Sequence, residues 1–470
     1  MKKIVAKAAV FLLGIVMIFT AFAHVFTVTE YRTAECIKSF KNEAPGSLDA
    51  VYIGSSNTYA FWEAPVAWNK YGIAIHNYTA PGMPPSALKY MIEECRKTQP
   101  DAVYLINVNL FKSYGFQTKH LHYLADFMPW SMNKVNMIMN LQPLTKDEDS
   151  LLEYFFPIVR FHGNWDNLSS KAFIRTAEDM KGAVHYSGFM RLTSDVSEGR
   201  LIHHKKRKIQ DNEREILYAL LDYIEKENVK VQFISVPQNI SGGIKLRRMN
   251  TAIKHIEEAG YDVLDLYDHP ELMGIDFTKD FYNRAHTNVW GSMKFIDYLS
   301  KYLIDRYDFE DKRGQAAYAS WDAAAEKYYE TLGVSIPDFI YNLEERDYEL
   351  AAPSLEFAVN GSNVTISWTK SEGAEGYCLY IKESGGVWTY LDQVGEDARS
   401  YMQSNVENPA EIRYLVVPFT VKDDGRMAYG DFEYKGIGAA PEAQQEQEEL
   451  QDDSSDLSDQ DDSDEQEGDN

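Results

Sequence analysis

Leu48-Asp49-Ala50-Val51-Tyr52-Ile53-Gly54-Ser55-Ser56-Asn57 reads as a short buried strand that ends in a glycine–serine turn. A continuous apolar run bounded by turn residues suits a strand covered on both faces, as in a parallel sheet. The pattern recurs downstream. Residues 73–78 form a second short strand, and 86–96 a helix with Leu88, Met91, Ile92 and Cys95 on one face. Residues 102–108 are a third strand. Residues 213–227 are helical, with Ile216, Leu217, Leu220, Leu221 and Ile224 at the 3.6 period. Residues 230–236 are a fourth strand, stopped by Pro237, and 249–259 a helix closed by Gly260. A fifth strand over 261–266 and a last helix over 289–303 complete the series. Such alternation predicts an α/β fold, a parallel sheet with helices on both faces. The stretch from about 110 to 210 breaks the rhythm and reads as a helical insertion after the third strand.

Further along, the period changes. Residues 364–368, 377–381 and 413–419 alternate apolar and polar between Gly, Asp and Asn turns. They predict a C-terminal all-β sandwich over 351–437 that folds by itself. Residues 308–350 read as a helical linker. Beyond 437 the chain is Gln, Glu, Asp and Ser; fourteen of the 32 residues from Ala439 to Asn470 are acidic and none is basic. Residues 438–470 are therefore expected to be a disordered acidic tail.

The chain has 470 residues, 44% of them apolar and 13% aromatic, which excludes global disorder. Net charge is −25, and without the tail it is −11. No basic field remains to hold a nucleic acid, so no nucleic-acid partner is expected. Three cysteines, Cys36, Cys95 and Cys378, are too few for a disulfide framework. The amino terminus combines a basic head, MKKIVAK, with an apolar run from Ala8 to Phe26. That run is close to the ~20 residues a bilayer span needs. Residues 1–29 read as a signal anchor, a transmembrane helix with Lys2, Lys3 and Lys7 cytoplasmic. Cleavage after Ala21-Phe22-Ala23 is the alternative. Either way residues 30–470 lie outside the cytoplasm; with the anchor kept, the protein is a single-pass protein of the cell membrane.

In a parallel α/β sheet, ligands bind beyond the carboxyl ends of the strands. The first strand ends in Gly54-Ser55-Ser56-Asn57, the second leads to Ala80-Pro81-Gly82, and the third ends near Asn107 and Asn109. After the fifth comes Asp280-Phe281-Tyr282-Asn283-Arg284-Ala285-His286-Thr287-Asn288. Ser56 needs a base to become a nucleophile. His286 titrates near neutrality and can take its proton. Gly82 and Asn109, with Asn107 behind it, are the candidate oxyanion donors. His120-Leu121-His122 lacks an evident third metal ligand and reads as two surface histidines. No metal and no cofactor are expected. The run His203-His204-Lys205-Lys206-Arg207-Lys208 reads as a solvated loop.

Gly54-Ser55-Ser56, Gly82, Asn109 and His286 fall in the order of the four blocks of SGNH/GDSL hydrolases, and residues 48–307 resemble that superfamily. Residues 49–58 and His286-Thr287-Asn288-Val289-Trp290-Gly291-Ser292-Met293-Lys294 are similar to its membrane-anchored, extracellular branch in Gram-positive bacteria, as is 161–168. The resemblance implies a flavodoxin-like sheet and Ser/His ester chemistry, by hydrolysis or acyl transfer. It also implies an acylated glycan or wall polymer as partner. The superfamily's Asp-x-x-His block is Asn283-Arg284-Ala285-His286 here, so Asn283 stands where the aspartate would orient the histidine; Asp280 or Asp276 could substitute. The G-x-N-D block is absent. A non-catalytic wall-binding protein on the same fold is the alternative reading. Residues 351–437 resemble a fibronectin type III domain, with Trp368 and Tyr414 in its core.

Overall fold

A computed structural model describes residues 2–26, 34–145, 150–161, 163–164, 180–183, 196, 202–240, 243–281, 283–335, 346–347, 349–383, 388–433 and 435–436. The strands after the first helices carry the α/β body: β1 (Ala50–Gly54), β2 (Ile75–Thr79), β3 (Val103–Asn107), β4 (Val231–Ser235) and β5 (Val263–Asp265). Their order is β2-β1-β3-β4-β5, all neighbours parallel. This is the flavodoxin-like doubly wound order. Every residue of β1, β2 and β3 is buried, which is why these runs show no alternation.

The helices, numbered in chain order, are α1 (Lys2–Phe26), α2 (Ala34–Lys38), α3 (Ser56–Phe61), α4 (Ala64–Tyr71) and α5 (Leu88–Arg96). In the insertion lie α6 (Thr118–Ala125), α7 (Met132–Leu141), α8 (Leu151–Phe155) and α9 (Pro157–Phe161). They are followed by α10 (Asp211–Lys226), α11 (Gly243–Glu258), α12 (Val289–Tyr307) and α13 (Ala319–Ser335). The described part of the insertion is helical, as its sequence suggests. The segment 165–168 of the resembling stretch, and 437–470 with the acidic tail, lie outside the described residues. Among the described residues no helix is long and apolar enough to cross a membrane.

The expected linker is part of the α/β body. α13 packs on α4. Trp68 Nε1 donates to Asp322 Oδ1 (2.9 Å), and the buried Trp321 donates from Nε1 to Glu43 Oε2 (3.1 Å).

The sandwich has the sheets β10-β7-β6 and β12-β11-β8-β9, with β13 (Lys435–Gly436) beside β11. Its strands are β6 (Leu355–Asn360), β7 (Asn363–Trp368), β8 (Gly376–Lys382), β9 (Thr389–Gly395), β10 (Ser400–Gln403), β11 (Arg413–Val421) and β12 (Met427–Tyr429). All its strand pairs are antiparallel. β8 and β11 are buried on both faces. Tyr377, Leu379, Tyr414 and Val416 join the sandwich's own core, while Cys378, Tyr380, Leu415, Val417 and Phe419 join the core of the α/β body. The sandwich therefore does not stand apart, because released alone it would expose that second face. Arg346 fastens the joint: its guanidinium lies 3.8 Å from the Trp290 ring centroid, and it donates to the Gly430 carbonyl (2.7 Å) and Asp431 (2.8 Å).

Candidate functional site

β1 ends at Gly54 because the next turn folds back on it. A Cβ at Gly54 would lie 1.8 Å from Thr58 Oγ1. Thr58 Oγ1 in turn accepts from Asn107 Nδ2 (2.9 Å), tying the first turn of α3 to the end of β3. Ser56 opens α3 and is half-buried; Ser55 Oγ donates to Asn57 Oδ1 (2.8 Å). Asn57 is buried, and its Nδ2 has no hydrogen-bond partner among the described residues.

Beyond β2, Ala80-Pro81-Gly82-Met83 closes a turn through Met83 N–H to the Ala80 carbonyl (3.3 Å). Proline second and a left-handed glycine third (φ +57°) are the demands of a type II turn. Ala80 N–H donates to the Gly54 carbonyl (3.4 Å), which sets this turn beside the serine turn. The Gly82 N–H enters no backbone hydrogen bond among the described residues.

His286 sits on the loop before α12 and is 9% exposed. Asn283 Oδ1 accepts from three N–H groups: Ala285 N (2.9 Å), His286 N (3.0 Å) and His286 Nδ1 (2.9 Å). The two backbone donors fix which end of the amide is oxygen, so Nδ1 carries the ring proton and Nε2 keeps its lone pair. Nε2 is buried and has no hydrogen-bond partner among the described residues. Burial foremost, then the Lys112 charge, pushes His286 down to about 3 from 6.5. The imidazole is therefore neutral at physiological pH.

The structure thus brings Asn283 onto His286 through a direct side-chain hydrogen bond. The His286 loop is also joined to the Ser56 helix: Thr287 Oγ1 donates to the Ala60 carbonyl (2.6 Å), and Phe61 and Phe281 meet edge to face. No hydrogen bond joins Ser56 to His286. Resting sites often close such a bond only with substrate.

Three expectations change. Asn109 is not available as an oxyanion donor: its Nδ2 gives its two protons to the Val236 carbonyl (2.9 Å) and Gln238 Oε1 (3.1 Å), and its Oδ1 accepts Val236 N–H (2.8 Å). It clamps β3 to β4. Asn107 behind it braces Asn109 N–H and Thr58. Asp280 and Asp276 do not substitute for Asn283. Asp280 is fully buried on Lys294 Nζ (2.7 Å) and on Asp276 N–H (2.7 Å), while the exposed Asp276 accepts from Thr278. The two histidines of the insertion are buried rather than superficial. His122 stacks on Tyr154 with centroids 4.0 Å apart. His120 Nδ1 accepts Gln117 N–H (3.3 Å), and the opposite ring edge lies on Gly82. Among the described residues no cluster able to hold a metal occurs.

Gln238 was not legible as a site residue. It accepts from Lys112 Nζ (3.0 Å) and Asn109, and donates to the Ala285 carbonyl (3.2 Å). It thereby joins two strand ends to the His286 loop. Its one sequence signal is a polar side chain just beyond the carboxyl end of a strand.

The Gly82 turn yields a direct test. A methyl at Gly82 would meet the His120 ring at 2.4 Å and strain a left-handed backbone. If the Gly82 N–H serves an oxyanion in an ester-cleaving site, Gly82→Ala is expected to lower turnover by about 10² to 10³, the cost of losing one such donor. Gly82→Ala combined with His120→Ala relieves only the clash. Equal loss in both variants, measured as kcat, marks the backbone geometry as the cause; full recovery marks the clash alone.

No family model matches the sequence, and no curated protein matches it. Among solved structures, the fibronectin type III domain of human collagen XX aligns at 26% identity, over 19% of this chain and 92% of that one, with a TM-score of 0.16. An Fn3-like protein from Clostridium thermocellum aligns at 20% identity over 19% and 99%, with a TM-score of 0.14. The pectate lyase Pel3 from Pectobacterium carotovorum aligns at 16% identity, over 20% of this chain but only 29% of its own, with a TM-score of 0.15. The fibronectin type III domains align with the C-terminal β region. The fibronectin-like character of the sandwich itself rests on its strand order.

Proposed function

We propose that the protein is an SGNH-type serine esterase or O-acyltransferase, tethered to the membrane with residues 30–470 outside the cell. The observation that carries the chemistry is the Asn283–His286 pair. It presents a buried, unpartnered Nε2 on a loop bonded to the helix that Ser56 begins. In this reading Ser56 Oγ attacks the ester carbonyl and passes its proton to His286 Nε2. The C–O bond to the leaving alcohol breaks as His286 returns the proton. Water or a second hydroxyl then takes the acyl group from Ser56 by the same relay. Gly82 N–H and the unpartnered Asn57 Nδ2 serve the oxyanion, in place of Asn109.

The proposed tether is α1, most of whose described apolar residues, Val10, Phe11 and Leu12 among them, are exposed. An acylated glycan or wall polymer is the proposed substrate class, consistent with a site outside the cell.

A fluorophosphonate probe on the full chain tests the reading. Labelling that disappears in Ser56→Ala and in His286→Ala supports it. Labelling of neither the parent nor the variants leaves a wall-binding protein on this fold, the reading favoured by the uncharged Asn283.

A further inference from the structure

The insertion carries an apolar surface that the chemistry above does not use. α7, α8, α9 and the residues flanking them expose Trp130 (61%), Met132 (71%), Leu144, Leu152 (57%), Phe156 and Val159. The surface is continuous. Trp130 stacks on Phe155 with centroids 6.0 Å apart, α8 packs on α9, and Phe156 lies between them. The described charged side chains within 129–161 are buried or half-buried. Lys134 is buried beneath Trp130, with Nζ 4.9 Å from the ring centroid; Arg160 pairs with Asp126 (2.8 Å); Glu153 is half-buried. Lys146, Asp147, Glu148 and Asp149 lie outside the described residues. An exposed patch of this kind marks contact with another apolar phase.

Its position names the phase. α9 packs against α1, and Asn164 Nδ2 donates to the carbonyl of Phe26, the last residue of α1 (3.3 Å). The patch is thus continuous with the end of the exposed apolar helix. We infer that the α7–α9 face is a second membrane contact, lying in the lipid interface beside the point where α1 leaves the bilayer. Exposed tryptophan and phenylalanine on short helices are the residues that settle at headgroup depth. Two contacts, one through the bilayer and one on it, would fix the height and tilt of the α/β body, and with them the direction in which the Ser56 turn faces. This inference rests on the reading of α1 as a tether, and the experiment separates the two.

The full chain is reconstituted in vesicles of phosphatidylcholine and phosphatidylglycerol. A single environment-sensitive dye is attached at Leu12→Cys in α1, Leu152→Cys in the patch or Val421→Cys in the sandwich. The native cysteines are all buried. Spin-labelled lipids then quench by depth, since an interfacial face enters only about 5–10 Å. The expected result is emission from position 152 at least halved by a shallow spin label, position 12 quenched by a deep one, and position 421 by neither. Position 152 unquenched with position 12 quenched overturns the inference and keeps the tether. Position 152 quenched with position 12 unquenched keeps the surface contact and removes the tether. A blue shift at 152 without lipid quenching means the face is covered by a second copy of the chain, which also overturns it.

Discussion

On the proposed esterase reading, Asn283→Asp is expected to raise ester turnover, by well under the roughly 10⁴-fold lost when a triad aspartate becomes asparagine, because that loss includes a wrong ring tautomer that Asn283 does not impose. On that reading Asn283 already does half of what an aspartate would do. Its Oδ1 holds Nδ1–H and is itself held by two backbone N–H groups, so the tautomer and ring plane are set. What it cannot supply is charge. His286 is pushed down to about 3 by burial and by Lys112, and no described carboxylate bonds to it. Taking the proton from Ser56 therefore creates a buried imidazolium with nothing to balance it. A carboxylate at position 283 accepts the same three N–H groups and supplies that balance. The pH behaviour provides a second readout. With a folded value near 3 against 6.5 unfolded, the unfolded chain binds the extra proton between those values. Stability is whole above pH 6.5 and falls as the pH drops toward 3. Asn283→Asp raises the folded value, so the acid loss of melting temperature shrinks while the acid limb of kcat/KM moves up. Unchanged turnover together with an unchanged pH profile would show that position 283 does not act through His286.

The strands were legible because burial on both faces leaves an uninterrupted apolar run, as in Ala50-Val51-Tyr52-Ile53. β11 departs from the alternation expected of it. Its run from Tyr414 to Phe419 is continuous because two different cores receive its two faces, and a sequence does not reveal that the second face belongs to another layer. Gly82 was legible as a turn glycine, and Asn283 was singled out because it fills the aspartate's position in the resembling Asp-x-x-His block. Asn283 reaches His286 across three residues of one loop, so the contact is nearly encoded in the chain. Asn109 was misjudged because an amide's role depends on its neighbours in space. Its partners Val236 and Gln238 lie more than a hundred residues away, on β4's exit. His120 and His122 failed for a related reason: alternation of two histidines says nothing of the cap bond and the ring stack that bury them.

Asp280→Ala is the second large effect, and it falls on stability instead of chemistry. Asp280 is fully buried, pairs with Lys294 Nζ at 2.7 Å and accepts Asp276 N–H at 2.7 Å. Its backbone carbonyl accepts Asn288 N–H (3.1 Å) at the start of α12, and Gly291 packs so closely on that carbonyl that a Cβ there would lie 2.3 Å away. These contacts close the loop that holds Asn283 and His286. Removing the carboxylate leaves Lys294, which is 11% exposed, with the Gly274 carbonyl (2.8 Å) as acceptor; breaking one partner of a buried pair costs about 3–5 kcal/mol, and that remaining bond keeps the loss toward the low end. For a body of this size the melting temperature should fall by roughly 10 °C. Adding Lys294→Met should recover part of the loss, because the stranded charge goes with it, whereas Asp276→Ala should change little at an exposed position. If Asp280 instead served the histidine, its loss would cut kcat with the melting temperature unmoved, and Lys294→Met would rescue nothing. A fall in melting temperature that Lys294→Met partly reverses, with residual probe labelling of Ser56 below the transition, is the outcome that the closed loop requires.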